Sequence, residues 1–203
     1  MRTLFLLILL PLMVALTTTA QTDSSESEKI MMLLELGSIY FQENNLEDAL
    51  EVYERVLRID PTNVDALNLS ALICVNTHAY EQALTYMQQL AELDPEDYQQ
   101  LNNMAWVYAT ATDPQFRDAP KAIDLAQQAL VISPHNHHVW STLSEAYFSN
   151  GDYQRADTCI RQVIAIATSQ GAKMSKENVE TYNQQIRKCK RAMETQALLD
   201  QVE

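Results

Sequence analysis

The sequence predicts an all-α fold in which pairs of helices repeat along the chain. Glycine occurs only three times in 203 residues, which argues against hairpins and against glycine-rich phosphate-binding or catalytic loops. Good helix formers dominate instead, and from residue 29 onward the apolar residues recur at helical spacing. Several of these apolar positions recur at a fixed spacing along the sequence. The three observations together predict a stacked helical repeat protein.

The first 20 residues have the pattern of a secretory signal peptide. Arg2 gives a positive start, residues 4–16 are mainly apolar, and Ala20 ends a stretch of small residues. The run is shorter than the roughly 18 apolar residues of a membrane span, which favours a cleaved signal over the alternative, an uncleaved anchor. Residues 21–29 are predicted to form a flexible leader. The cleavage junction favours a bacterial protein that is exported to the periplasm or secreted.

The chain is strongly acidic, with a formal net charge of −13. Removing Arg2 with the signal peptide leaves 27 acidic against 13 basic residues, a net charge of −14. This balance argues against nucleic acid or anionic lipid as the main partner and against stable membrane insertion after cleavage. It favours a neutral or basic partner.

Four sets of positions share one repeat period. Leading apolar residues and a mostly tyrosine position both step by 34, 34 and 39 residues; small alanines step by 34, 39 and 34, and closing prolines by 34 and 39. Chance is a poor explanation for four independent markers in register. The sets are Leu33, Leu67, Leu101 and Trp140; Tyr40, Cys74, Tyr108 and Tyr147; Ala49, Ala83, Ala122 and Ala156; and Pro61, Pro95 and Pro134.

A helix-turn-helix unit of 34 residues with these markers resembles the tetratricopeptide repeat. The first copy matches the family signature at Leu33, Leu36, Gly37, Tyr40, Ala49, Tyr53 and Pro61. The resemblance covers about residues 30–168 and implies a tetratricopeptide-repeat solenoid of four units plus a C-terminal capping helix. The units are expected at residues 30–63, 64–97, 98–136 and 137–168, and the capping segment at 169–203, with its helix at about 175–199.

Five additional residues lengthen the third unit. They lie between its two helices, in the segment TDPQFRDAP at residues 112–120. Asp113 and Pro114 begin a loop there. Asp118 is predicted to cap the next helix, with Pro120 in its first turn.

Three histidines fall within four positions of the segment SPHNHHVW, residues 133–140. In repeat register this segment links the third unit to the fourth, and His137 opens a helix. Neighbouring helical side chains are expected to diverge by about 100°, whereas helical metal pairs are spaced i, i+3 or i+4. We therefore predict no metal site. Only His138 faces the expected ligand groove.

The three cysteines have different expected roles. Cys74 takes a core position and is predicted to be a small buried residue. Cys159 lies on the second helix of the fourth unit, and Cys189 lies on the capping helix that packs against it. They form the candidate disulfide, with two buried free thiols as the alternative.

No nucleophile–base pair and no cofactor fingerprint occurs in the chain, so we predict neither an enzyme nor a cofactor. The resemblance implies instead that the concave face, lined by first helices, binds an extended peptide. Asparagine amides suit backbone binding because they donate and accept, and Trp106 suits an apolar anchor. No lysine or arginine is expected on this face, which disfavours acidic tails. The expected groove residues are Asn68, Leu72, Asn102, Asn103, Trp106, Thr110, His138, Ser141 and Glu145.

Two roles remain open at this point. The chain is either an interaction module that holds a peptide in this groove, as an adaptor or assembly factor, or a structural subunit packed permanently in a larger complex with its groove empty.

Overall fold

The computed structural model describes the backbone of residues 9–169 and 176–201. These residues form nine α-helices and one short 3-10 helix, at Pro114–Phe116, and no strand. Eight helices follow one another along the chain in the order of four helix-turn-helix units, and the ninth follows them, as predicted. The helices are α1 (Leu9–Gln42), α2 (Leu46–Ile59), α3 (Val64–Asn76), α4 (Tyr80–Leu93), α5 (Tyr98–Thr110), α6 (Ala119–Ile132), α7 (His137–Ser149), α8 (Tyr153–Ser169) and α9 (Lys176–Leu199).

The first helix extends further towards the N-terminus than expected. Residues 21–29, predicted to be a flexible leader, lie within α1. The segment is polar, but residues 21–29 contain neither glycine nor proline to stop a helix. Residues 1–8 of the predicted signal peptide lie outside the described residues. In the described part of the chain, no helix is both long and apolar enough to cross a membrane.

The chain folds as two compact units, and the boundary between them, after Ile73, falls within α3. In the first unit α1 packs on α2, and their contact depends on Gly37. A Cβ atom on Gly37 would lie 2.5 Å from Cε1 of Tyr53, whose ring is fully buried. The signature glycine therefore makes room for an aromatic ring. The core of this unit consists of Leu33, Ala49, Val52, Tyr53, Val56, Ala66 and Ile73.

The second unit extends from Cys74 to the C-terminus. Consecutive helices pack on one another, α4 on α5, α5 on α6, α6 on α7, α7 on α8 and α8 on α9, and α5 also packs on α7. The repeat alanines Ala83, Ala122 and Ala156 are completely buried, which is the role predicted for them. The Ser144 hydroxyl crosses from α7 to α8 and donates to the carbonyl of Ala156 at 2.8 Å. Small side chains thus let paired helices approach closely.

Turns follow the repeat register. Helices α2, α4 and α6 each end two residues before a closing proline, because the residue before proline disfavours helical geometry. The turn inside a unit places one residue in the left-handed region: Asn44 at φ 58°, His78 at φ 62° and Gly151 at φ 80°. The third unit has its insertion at this point, and Asp118 caps α6 by accepting from the N–H of Lys121 at 3.0 Å, as predicted.

The last helix covers α8 with the apolar stripe expected of a capping helix. Tyr182 joins the buried residues Ile160 and Val163 in one cluster, with Ile186 packed against it. Further along α9, Cys189 is buried in a cluster that also contains Cys159. The C-terminal helix therefore closes the core of the fourth repeat.

All three cysteines are buried free thiols in the structure. Cys159 and Cys189 share a core cluster, as expected of the candidate pair, but no bond joins them. Burial, with the charges of Asp152 and of Cys189, raises the pKa of Cys159 to about 12. Burial also raises the pKa of Cys189. Both thiols are therefore protonated, and poor nucleophiles, near neutral pH.

Candidate functional site

One face of α5 carries the side chains that stand out as a candidate binding site. Gln99, Asn103, Trp106 and Thr110 follow one another at helical spacing of three or four residues, so they form a stripe about 16 Å long. Two pockets open along this stripe, both within the second compact unit. We call them the amide pocket and the indole pocket.

The amide pocket has a volume of about 300 Å³ and lies between the first half of α5 and the start of α7. Asn136 builds one wall. Its Oδ1 caps α7 by accepting from the N–H groups of His138 at 2.9 Å and Val139 at 3.4 Å, and its Nδ2 donates to the Tyr98 hydroxyl at 3.1 Å. The pocket is lined by Tyr98, Gln99, Asn102, Asn103, Asn136, His138 and Val139.

Asn102 supplies the most informative atom of the amide pocket. Its Oδ1 is buried and has no hydrogen-bond partner among the described residues. A buried acceptor left unpaired costs about 1–3 kcal/mol. A donor that reaches this oxygen, either a peptide N–H or a water O–H, therefore stabilises the site.

The indole pocket has a volume of about 370 Å³ and lies between the second half of α5 and the turn that joins α3 to α4. Trp106 is 42% exposed there, and the Thr110 hydroxyl donates to the Trp106 carbonyl at 2.7 Å. None of the described residues that line it is Asp, Glu, Lys or Arg. They are Val75, Asn76, His78, Tyr80, Trp106, Val107, Thr110 and Thr112.

The two adjacent histidines differ from expectation in one respect. The rings of His137 and His138 do not diverge, because their centroids lie 4.0 Å apart. His137 is the first residue of α7, so no preceding turn restricts its side-chain rotamer. Burial and the neighbouring His138 lower the pKa of His137. Within the part of the chain that the structure describes, no group of three or more His, Cys, Asp or Glu side chains is arranged to hold a metal ion.

Side chains of the C-terminal helix contact two residues on the first helix of the fourth repeat, Glu145 and Phe148. Glu145 on α7 accepts from Gln185 Nε2 at 2.7 Å and from Lys188 Nζ at 3.1 Å. The same ammonium lies 3.9 Å from the centre of the Phe148 ring. Glu145 therefore contacts α9, and its part in a ligand site stays a prediction. Lys188 places an ammonium beside Glu145 and Phe148, where no lysine was expected. Repeat register shows which side of α7 a residue occupies, but not which later segment covers it.

The other expected groove residues are more dispersed. Thr110 and Trp106 line the indole pocket, whereas Ser141 is half-buried on α7 and lines neither of the two pockets. Asn68 and Leu72 lie on α3 in the first compact unit, where Leu72 is 44% exposed. Their part in a ligand site stays a prediction.

Three residues of the indole pocket lie outside the first helices, which are the elements that the resemblance assigns to the groove. His78, Tyr80 and Thr112 come from the turn before α4, from α4 itself and from the insertion. The sequence contained one indication that His78 is unusual. His78 stands 34 residues after Asn44, at the turn position that glycine takes in the fourth repeat.

Comparison with known proteins agrees with the repeat pattern. A model described as TPR repeat matches residues 37–76. Two models described as tetratricopeptide repeat match residues 64–97 and 115–174. These matches cover the second and fourth predicted units completely, parts of the first and third, and most of the repeat region.

Curated relatives match the chain over part of their length only. BBSome complex member BBS4 of Bos taurus is 22% identical over 65% of this chain and 24% of its own. ER membrane protein complex subunit 2-A of Xenopus laevis is 23% identical over 55% of this chain and 36% of its own. The chain thus spans between a quarter and about a third of these relatives.

Similar solved structures support the fold. A tetratricopeptide repeat protein from Parabacteroides merdae has a TM-score of 0.68 at 16% identity, covering 83% of this chain and 60% of that one. A thermophilic TPR protein in Thermus thermophilus has a TM-score of 0.60 at 17% identity, covering 81% and 82%. With four helical pairs in register and three matching repeat models, this chain belongs to the tetratricopeptide repeat family.

Proposed function

We propose that this chain captures an extended, neutral or basic peptide segment of a partner protein along the exposed face of α5. Its tetratricopeptide-repeat fold suggests a protein–protein interaction module. One observation supports the finer proposal: a buried, unpaired acceptor on Asn102 and a half-exposed indole on Trp106 lie on the same face of one helix. The first suits a peptide N–H and the second an apolar side chain.

The dimensions of the stripe suit a short extended peptide. An extended chain advances about 3.3–3.6 Å per residue, so the roughly 16 Å from Gln99 to Thr110 corresponds to about five residues. Neither pocket is lined by a lysine or arginine among the described residues, and the chain carries a formal charge of −13. A neutral or basic peptide is therefore favoured over an acidic one.

We expect the double variant Asn102→Ala/Trp106→Ala to lose peptide capture while the fold is kept. A random-peptide display library is selected on the unmodified chain, and the enriched peptides are tested on both proteins. Removal of a central tryptophan anchor and of an amide contact is expected to weaken binding by at least about tenfold. Thermal unfolding followed by circular dichroism checks the fold.

A matched double variant on another helix serves as the control. Gln128→Ala/Val131→Ala also removes one amide and one exposed apolar side chain, both from α6. It is expected to bind the enriched peptides like the unmodified chain. Equal capture by the α5 variant would instead rule out the α5 face as the peptide site.

We further propose that the chain is bacterial, exported and periplasmic, and acts there as an adaptor or assembly factor. The support is the signal-peptide pattern of residues 1–20. The mature chain recovered from a periplasmic extract is expected to have the intact mass of residues 21–203. An intact mass that includes Met1 would contradict cleavage, and recovery in the cytoplasmic fraction alone would contradict export.

A second candidate is a structural subunit held permanently in a larger complex. Two curated relatives are described as a complex member and a complex subunit. The end of α6 offers exposed apolar surface, with Val131 at 84% and Ile132 at 42% exposure, as interaction sites do. If this candidate is right, the α6 variant Gln128→Ala/Val131→Ala is expected to lose assembly into the complex. The α5 variant Asn102→Ala/Trp106→Ala is expected to assemble like the unmodified chain.

A further inference from the structure

Tyr80 is the organising residue of the indole pocket. It is only 6% exposed, and its hydroxyl oxygen lies 2.8 Å from Nδ1 of His78 and 3.1 Å from Oγ1 of Thr112. The same oxygen accepts from the N–H of Thr112 at 3.2 Å. The Tyr80 ring contacts the rings of Phe116, at 5.6 Å between centroids, and His78, at 5.7 Å.

Two of these partners come from the lengthened turn of the third repeat. Thr112 and Phe116 both belong to the segment 112–120, so the insertion builds one side of the pocket. Its own contacts hold it in place. Arg117 Nε donates to the carbonyl of Ala111 at 2.6 Å, and the N–H of Asp118 donates to the carbonyl of Tyr108 at 3.0 Å.

His78 is held in an uncommon backbone conformation. Its φ is 62°, a region that residues with a Cβ avoid at a cost of roughly 1–2 kcal/mol and that glycine adopts freely. The fourth repeat has glycine at this position, Gly151. His78 occupies this positive-φ position, lines a pocket and bonds to a buried tyrosine, which together indicate a role for its imidazole.

We take the Tyr80 hydroxyl as the donor to Nδ1 of His78, 2.8 Å away. The Tyr80 oxygen accepts from the N–H of Thr112, and its own proton can go to Nδ1 of His78 or to Oγ1 of Thr112. Donation to Nδ1 leaves the neutral imidazole with its proton on Nε2. The exposed edge of His78 then offers one N–H donor, close to an exposed indole face.

The geometry points to the indole pocket as a subsite for one uncharged aromatic side chain with a hydrogen-bonding group, tyrosine above all, in the captured peptide. The inference rests on the proposed function and names the residue class at one position of the ligand. An aromatic ring stacks on Trp106, a phenol oxygen accepts from His78, and no charged side chain among the described residues lines the pocket to pair with an ionic ligand. The volume of about 370 Å³ is within the range of small-ligand pockets.

The test uses capped amino acids as probes, so that it needs no peptide of known sequence. The chain has two tryptophans, and loss of one indole N–H signal in Trp106→Phe assigns that of Trp106 in a nitrogen–proton NMR spectrum. N-acetyl-tyrosinamide is titrated, followed by the phenylalanine, leucine and arginine counterparts. We expect saturable shifts with tyrosine, several-fold weaker binding of phenylalanine, and no saturable shift with leucine or arginine.

Replacing His78 by glycine tests the contribution of the imidazole without straining the backbone. His78→Gly keeps the positive φ without strain, so it removes the side chain without endangering the fold. We expect it to weaken binding of the tyrosine probe by about tenfold, the size of a hydrogen bond plus a ring contact, and to abolish the difference between tyrosine and phenylalanine. Asn44→Gly makes the same change at the equivalent turn of the first repeat, φ 58°, and is expected to titrate like the unmodified chain.

Three results would overturn the inference: equal shifts with the leucine probe, stronger binding of the arginine probe, or unchanged tyrosine binding by His78→Gly. A different result would contradict the proposed function itself: capture of the display peptides that does not depend on Asn102. Peptides that need Asn102 but enrich no aromatic residue would preserve the groove and refute only the aromatic subsite.

Discussion

Replacing Gly37 by alanine is expected to lower the free energy of unfolding by about 1–3 kcal/mol, as overpacking of a core does. Intrinsic preference argues the other way, since alanine is the better helix former by about 1 kcal/mol. The steric effect wins because the new Cβ would lie 2.5 Å from Cε1 and 2.8 Å from Cζ of the Tyr53 ring. That ring is fully buried, so it cannot move aside without disturbing its neighbours.

Denaturant unfolding followed by circular dichroism measures this loss, and a second glycine provides the control. A Cβ on Gly151 meets nothing within 4 Å, so Gly151→Ala is expected to cost only the roughly 1–2 kcal/mol of a positive φ. The double variant Gly37→Ala/Tyr53→Leu separates the two causes. If the clash is the reason, the Gly37 substitution costs less in the Tyr53→Leu background than alone; additive losses would show that the ring is not responsible.

Replacing Ile160 by alanine is expected to cost about 2–5 kcal/mol, the range for large-to-small substitutions in a closed core. Ile160 is completely buried on α8, in a cluster with Val163 and Tyr182. Tyr182 belongs to α9, so the lost methyl groups lie where the last helix covers the fourth repeat. The cavity is therefore expected to loosen α9 before the rest of the unit.

Hydrogen exchange resolved by segment, together with denaturant unfolding, tests this expectation. Protection of α9 is expected to fall more than that of α5. Ile132→Ala removes the same atoms from a side chain that is 42% exposed, and is expected to cost less than about 1 kcal/mol because little apolar area leaves the core. Equal losses in the two variants would show that α9 does not close a tightly packed core.

Three features of the fold could be predicted from the sequence because each is determined by the residue itself and its near neighbours in the chain. They are the alanines at closely packed helix contacts, the prolines after second helices and the aspartate at the start of α6. The repeat register made the alanines and prolines recognisable several times over. The leader before the first repeat lacked such markers, and there the structure has a continuous helix instead of a flexible segment.

The candidate site was only partly predictable. Asn102, Asn103 and Trp106 were found because helical spacing places them on one face of α5. His78 and Tyr80 were not, because their side chains belong to a turn and a second helix, outside the face that the resemblance indicated. The contacts of Glu145 with Gln185 and Lys188 could not be predicted for the same kind of reason, since these partners lie 40 and 43 positions further along the chain.

The sequence by itself therefore determined the helical class, the four-unit register, the closing helix and the α5 stripe, all of which follow from short-range periodicity. Only the tertiary structure decided what covers each face. It placed Lys188 on the fourth repeat, left Oδ1 of Asn102 unpaired, and used the insertion to build a wall of the pocket at Trp106. The Lys188–Glu145 and Thr112–Tyr80 contacts join residues 43 and 32 positions apart, and such pairings depend on how helices pack rather than on any local preference of the chain.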